Sequence, residues 1–94
     1  MAYTYGPGGA RSALDITAAT VVKASAGVLY RVSVTTAGSA AGSVYDYAST
    51  SGQGASDLVA SIPNAVGVTE LLWPCNTGIL IVPGTGQIVS VSYT

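Results

Sequence analysis

A chain of 94 residues is long enough for one small domain, and only seven of its residues are charged. The net charge of −1 gives no electrostatic attraction toward nucleic acid or an anionic membrane surface. With no His and a single Cys, the chain excludes histidine-based catalysis and an intrachain disulfide, and it disfavours a zinc or iron–sulfur site.

The composition predicts a domain that is stabilised by association. Surface scaling indicates that a domain of this length buries roughly 63% of its unfolded surface, which leaves a marginal core. Ala, Ser, Thr and Gly make up half of the chain, and the mean hydropathy is +0.52. A surface covered by copies or partners accounts for these values. A fibre-forming chain is the alternative, and the frequent Gly and Pro residues argue against it.

The N-terminal residues 1–13 predict an irregular arm. Gly6-Pro7-Gly8-Gly9 can continue neither a helix nor a central strand. Tyr3 and Tyr5 alternate before it, so the arm is either a disordered terminus or a segment that reaches a neighbouring subunit with these tyrosines as anchors. The segment lacks a basic start followed by an apolar core, so we expect a cytoplasmic product without a cleaved signal.

Residues 14–94 predict a single β domain. The segment Leu14–Ala24 is rich in β-branched residues, and Val28–Thr36 alternates in hydrophobicity. The short turn between them predicts a hairpin. In the second of these strands, the residues expected on one face are Val28, Tyr30, Val32 and Val34.

Short strands separated by turns are predicted for the rest of the chain. The run Ile79–Val82 has no alternation, so both of its faces should be covered. Residues 57–62 fit either a strand or one helical turn. The other predicted strands are Ser43–Ala48, Val66–Trp73 and Gln87–Thr94. About seven strands at roughly ten-residue spacing are typical of a small antiparallel sandwich or barrel.

No arrangement of residues in the chain predicts catalysis, a metal or a cofactor. Lys23 lies at a predicted strand end without a supporting motif, and Cys75 fits a small buried hydrophobic residue. The spacing pairs none of the four acids. We expect them to form hydrogen bonds at strand ends, or ion pairs with Arg11, Lys23 and Arg31. The chain is therefore predicted not to be an enzyme.

The aromatic residues supply the candidate contact sites. Trp73, Tyr30 and Tyr93 are expected in the core, with the Trp73 indole N–H bonded to a carbonyl. Tyr45 and Tyr47 share one face of a predicted strand beside flexible loops, where they form either a contact surface or ordinary packing. The candidate interface residues are Tyr3, Tyr5, Arg31, Tyr45 and Tyr47.

Three segments resemble small virion structural proteins of tailed bacteriophages. They are residues 16–36 with the following loop, residues 62–75 (IPNAVGVTELLWPC) and residues 77–94 (TGILIVPGTGQIVSVSYT). The resemblance lies in the sequence pattern of the predicted hairpin around LYRVSV and in the C-terminal sequence GILIVPGTGQIVSVSY. It does not involve catalytic residues.

The resemblance implies a jelly-roll β-sandwich that functions as a capsid decoration or cement protein. Such proteins are often trimers, so we expect a homotrimer that binds the major capsid protein or another virion protein. The low charge predicts that it binds neither nucleic acid nor a membrane. Its expected location is the virion, after assembly in the cytoplasm of the bacterial host. The alternative is a head-fibre or tail-fibre module that binds a host-surface carbohydrate or receptor.

Overall fold

Residues 10–94 are described in a computed structural model, and they form eight β-strands and no α-helix. The strands are β1 Arg11–Ile16, β2 Thr20–Lys23, β3 Gly27–Thr36, β4 Gly42–Tyr45, β5 Leu58–Ile62, β6 Gly67–Cys75, β7 Ile79–Val82 and β8 Ile88–Tyr93. A single 3-10 turn, Ala55–Asp57, precedes β5. Strand β1 begins inside the predicted arm, and residues 1–9 lie outside the described residues.

The strands form two antiparallel four-stranded sheets. The first sheet has the order β1-β8-β3-β6, and the second has the order β2-β7-β4-β5. The predicted hairpin of Leu14–Ala24 with Val28–Thr36 is therefore wrong. Residues 17–19 interrupt the first segment, β2 pairs with β7, and β3 lies in the other sheet. Hydrophobic periodicity indicates which face of a strand is buried, but it does not identify the partner strand.

A shift in strand register changes which residues of β3 are buried. Leu29 and Arg31 face Tyr93 and Ser92 of β8, so β3 carries one extra residue there. Because a bulge reverses the alternation of side chains, Leu29 is buried on the same side as Val32. Tyr30 is only half-buried and lies outside the core, contrary to the prediction from uninterrupted alternation.

The hydrophobic core lies between the two sheets and takes side chains from both. Strand β7 is central in its sheet, and Ile79, Leu80 and Ile81 are fully buried, which confirms that both faces of this strand are covered. Cys75 is buried as predicted. The core cluster comprises Ile16, Leu29, Val32, Val34, Val44, Ile62, Cys75, Ile79, Ile81, Val89 and Val91. Tyr93 is half-buried and packs against it.

Trp73 lies outside the core, so its predicted burial is wrong. Its side chain is 47% exposed. Strand β6 is an edge strand, so only one strand flanks it within the sheet. The neighbouring Leu72 has a φ of +51°, which bends the strand immediately before Trp73. An interruption of this kind cannot be read from the alternation of residues 66–73.

A buried glutamine ties together loops at one end of the sandwich. The Gln87 side chain is 1% exposed, and its Nε2 donates to the Pro63 carbonyl oxygen at 2.9 Å. Its Oε1 accepts from the Gly84 N–H at 3.0 Å. A Cβ atom at Gly42 would lie 2.7 Å from that oxygen, so a residue without a side chain is needed there. The amide thus holds the β5–β6 and β7–β8 loops together.

We expect Gln87→Ala to lower the free energy of unfolding by roughly 2–3 kcal/mol, because it leaves two backbone groups without partners. Urea unfolding followed by tryptophan fluorescence measures this loss. Gln53→Ala is the matched control, since Gln53 Oε1 is buried without a partner and its removal orphans nothing. Equal losses in the two variants would contradict the anchoring role of Gln87.

Candidate protein–protein interface

The charged side chains of the described residues are spread over strands and loops of both sheets. Among residues 10–94, no three His, Cys, Asp or Glu residues lie close enough to hold a metal ion. No helix within this range is long and apolar enough to cross a bilayer. The carboxylates of Asp46 and Asp57 accept backbone N–H groups, and that of Glu70 pairs with Arg31.

Asp46 fixes the turn between β6 and β7. Its carboxylate accepts hydrogen bonds from the N–H groups of Asn76, Thr77 and Gly78, at 2.9, 2.8 and 3.2 Å. Burial raises the pKa of Asp46, and these three hydrogen bonds lower it by more, so the pKa lies below its ordinary value. The expectation of hydrogen bonds at strand ends is confirmed at this residue.

Cys75 ends β6 close to the same carboxylate. Burial raises the pKa of its thiol to about 11, and the negative charge of Asp46 adds to the rise. The nucleophilic form of cysteine is the thiolate. The position therefore suppresses thiol reactivity and suits the packing role predicted for Cys75.

Within residues 10–94, the outer face of the first sheet carries exposed apolar side chains. Ser33 of β3 lies opposite Val68 of β6 and Ser90 of β8, while the alternate positions Val32 and Val34 point into the core. We define the outer face by the residues on this side of the sheet, which are Ser12, Leu14, Arg31, Ser33, Val68, Glu70, Ser90 and Ser92.

Apolar side chains border a floor of serines on this outer face. Leu14 is 72% exposed and Val68 is 64% exposed. They flank a shallow depression of about 240 Å³, with Ser33 and Ser90 among the residues between them. Two exposed branched side chains therefore lie beside small hydroxyl residues on this face.

Strained backbone lies at both edges of this sheet. In β1, an extra residue between Ala13 and Ile16 gives Asp15 a φ of +57° and leaves Leu14 exposed. In β6, Leu72 has a φ of +51° and is itself 57% exposed. A left-handed leucine costs about 1 kcal/mol or more. Such bulges also interrupt edge strands, which disfavours open-ended strand addition.

The outer face contains one ion pair. Arg31 Nη2 donates to Glu70 Oε2 at 3.0 Å, and more than half of each side chain is exposed. An exposed pair of this kind adds less than about 1 kcal/mol to stability. Its main effect is that the positive charge of Arg31 and the negative charge of Glu70 neutralise each other on the outer face.

Within the described residues, the second sheet is better covered than the first at its centre, although Leu58 at its edge, opposite Tyr45, is 46% exposed. Leu80 of β7 is fully buried although its side chain alternates with those of the core residues Ile79 and Ile81. Its cross-strand neighbours Val21 and Tyr45 are half-buried. The described chain therefore leaves the outer face of the first sheet as its more exposed apolar surface.

The structure separates the predicted contact residues. Arg31 lies on the outer face, whereas Tyr45 and Tyr47 are half-buried at the second sheet. Strand β4 ends at Tyr45, so the predicted strand face does not extend to Tyr47. Tyr3 and Tyr5 lie outside the described residues.

Sequence reasoning missed Leu14 and Val68 as surface residues. The alternation of Val68 and Glu70 with Thr69 indicated that these two side chains share a strand face. It could not show that no other part of the described chain covers that face.

Comparison of the chain with family models, with curated proteins and with solved structures found no match.

We expect the free energy of unfolding of Asp46→Asn to fall less steeply with decreasing pH than that of the wild type. Because the folded-state pKa lies below the unfolded value of about 3.9, the carboxylate stabilises the fold above that pH, and the contribution disappears as pH falls through the folded-state pKa. At neutral pH, the loss should be about 1 kcal/mol, since the site is partly open to water. Urea unfolding at a series of pH values from about 7 to about 2.5 measures both the loss at neutral pH and the dependence of stability on pH.

Asp57→Asn is the control for this substitution, because its carboxylate accepts one backbone N–H, from Gly54 at 2.9 Å. If the free energy of unfolding of Asp46→Asn depended on pH as in the wild type, Asp46 would not be the group responsible for the loss of stability in acid.

We expect the Cys75 thiol to react with Ellman's reagent at pH 8 more than a hundred times more slowly in the folded protein than in guanidinium. A thiol with a pKa of about 11 is roughly 0.1% thiolate at that pH, against about a quarter for an unperturbed cysteine. Absorbance at the thiolate product band gives both rates. Similar rates in the two solutions would show that Cys75 is accessible and ionised.

Proposed function

We propose that this chain is a structural, non-enzymatic protein of a bacteriophage virion, and specifically a capsid decoration or cement protein. The observation that carries the proposal is the uncovered outer face of the first sheet, with Leu14 and Val68 exposed in a chain that has few charges. The resemblance of residues 16–36, 62–75 and 77–94 to small virion proteins supplies the biological setting. The expected location is the virion.

The strand order supports a jelly-roll fold as part of this proposal. Strands pair in a nested series, β1 with β8, β2 with β7, β3 with β6 and β4 with β5. Folding such an eight-stranded ribbon across itself brings β3 beside β8 and β4 beside β7, which are the two remaining pairings. Jelly rolls occur in viral capsid and lectin domains, so the fold alone does not decide the function.

The physical role would be to bury surface across the seams between capsid subunits. Each contact of a 94-residue chain is small, and a shell gains stability because the contact is repeated many times. Short Ser and Ala side chains lose little rotamer entropy when they are buried. The proposed partners are the major capsid protein and other copies of this chain, with a homotrimer as the assembly implied by the resemblance.

A fibre module that binds a host carbohydrate or receptor is the second candidate. The 47% exposure of Trp73 favours it, because an exposed indole can stack on a sugar ring. Tyr45 is the last residue of β4 in the second sheet, Tyr47 follows that strand, and Trp73 belongs to the first sheet, so the three do not form one strand face. Binding on a glycan array that is lost in Trp73→Ala would favour this candidate.

We expect the purified chain to sediment with empty capsids of the phage that encodes it, at a fixed and saturable ratio to the capsid protein. Because this chain would bind the assembled shell, it should stabilise that shell by about 2.7 kcal/mol per site when its free concentration is one hundred times Kd. Co-sedimentation and capsid melting test this expectation, and the mass of the free chain in solution tests self-association. A monomer that binds no capsid would refute the proposal.

A further inference from the structure

The outer face has hydroxyl groups that can pair with an identical surface. Ser12, Ser33, Ser90 and Ser92 occupy this side of the sheet. A hydroxyl both donates and accepts hydrogen bonds, so the serines of one copy can form hydrogen bonds with the same serines of another copy. Within the described residues, Ser92 Oγ is buried and has no hydrogen-bond partner. That oxygen is out of reach of a second copy, so the hydroxyls open to pairing are those of the other serines, and Ser90 Oγ already accepts the Asp15 N–H at 3.4 Å.

The charges of the outer face are also compatible with a second copy. Arg31 and Glu70, which lie 3.0 Å apart, are the charged members of the outer face as defined, and Asp15 borders it with its N–H on Ser90 Oγ. In a contact with two-fold symmetry, a patch meets its own image, and Arg31 can approach the partner's Glu70. A strongly charged partner gains little from such a compensated surface.

The apolar residues fit the same arrangement. Leu14 and Val68 stand at opposite sides of a depression of about 240 Å³ that has serines on its floor. In an antiparallel, face-to-face contact, the exposed Leu14 of one copy can enter the depression of the other. Both copies then cover Leu14 and Val68, which are 72% and 64% exposed in the isolated chain.

We propose that two copies of this chain pack face to face through the outer face of the first sheet, around a two-fold axis. The inference rests on the self-association in the proposed function and names the surface responsible. A two-fold contact by itself gives a dimer, whereas the homotrimer implied by the resemblance requires other surfaces.

The dimensions of the sheet indicate a weak contact. Four strands spaced about 4.8 Å apart and about six residues long at 3.3 Å each give a face of roughly 400 Å². A standard interface buries about 800 Å² per partner. The pairing should therefore depend on concentration, as is useful for a protein that becomes concentrated on a shell.

Charge reversal followed by mixing tests the proposal. Sedimentation equilibrium over a concentration series should show reversible dimers of the wild type. Arg31→Glu and Glu70→Arg should each weaken self-association by about tenfold or more, because like charges then face each other across the axis. An equimolar mixture of the two variants should restore association to at least the wild-type level, since an acidic face then meets a basic one.

Lys23→Glu is the matched control, because it makes the same charge change away from the outer face, at the end of β2. Its self-association should equal that of the wild type. Circular dichroism establishes that all variants are folded. Leu14→Ser with Val68→Ser removes the apolar contact without altering charge, and it should also raise Kd by about tenfold.

Three results would overturn the inference: a wild type that stays monomeric, reversals that leave Kd unchanged, or a mixture that fails to restore association. Capsid binding is measured on the same variants. A monomeric wild type that still binds capsids would refute the two-fold contact and leave the proposed function standing. Reversals that abolish capsid binding without weakening self-association would assign the face to the capsid, which also refutes the inference.

Discussion

A two-layer sandwich has one interior layer, and this geometry determines which side chains are buried and which are exposed. Each strand directs alternate side chains into that layer and the remainder outward. The described part of the chain has eight strands with short connections between most of them, and little remains to cover two outer faces. The second sheet is the better covered, as the buried Leu80 shows. Among the described residues, the first sheet keeps Leu14 and Val68 exposed.

Two polar side chains at opposite ends hold the layers in place. Gln87 connects loops at one end, and Asp46 binds three backbone N–H groups at the other. Since neighbouring strands are mostly distant in sequence, their connecting loops do not set the register by themselves. Side-chain hydrogen bonds to loop backbone supply the missing restraint, and a small core is thereby kept in one arrangement.

The sequence predicts local properties of this fold better than the relations between distant segments. The bounds of β7 and the burial of both its faces follow from the unbroken apolar run Ile79–Val82, and most of β3 follows from its alternation. The strand partners do not, because pairing is decided by the joint packing of the whole chain. Bulges at Tyr30 and Leu72 are equally hidden, since neither position carries the glycine that usually marks such a site.

The contact surface was only partly predictable for the same reason. Arg31 was identified from its polar strand face, and its partner Glu70 could be named only once the register was known. Trp73 was assigned to the core because large aromatic residues are usually buried, but an edge position and a bent backbone left it exposed. Gln87 carried no sequence signal that separates a buried amide from a turn residue.

The position of β8 has a consequence for the timing of synthesis. This strand lies between β1 and β3, so residues 88–93 supply the hydrogen-bonding partner of the earliest described strand. On the ribosome, β1 must wait unpaired until almost all of the described residues have been translated, and the loop closed by that pairing is nearly as long as the domain. Folding is therefore late and largely all-or-none. A prematurely terminated product lacks the strand that joins both halves of the first sheet, and it offers no finished surface for assembly.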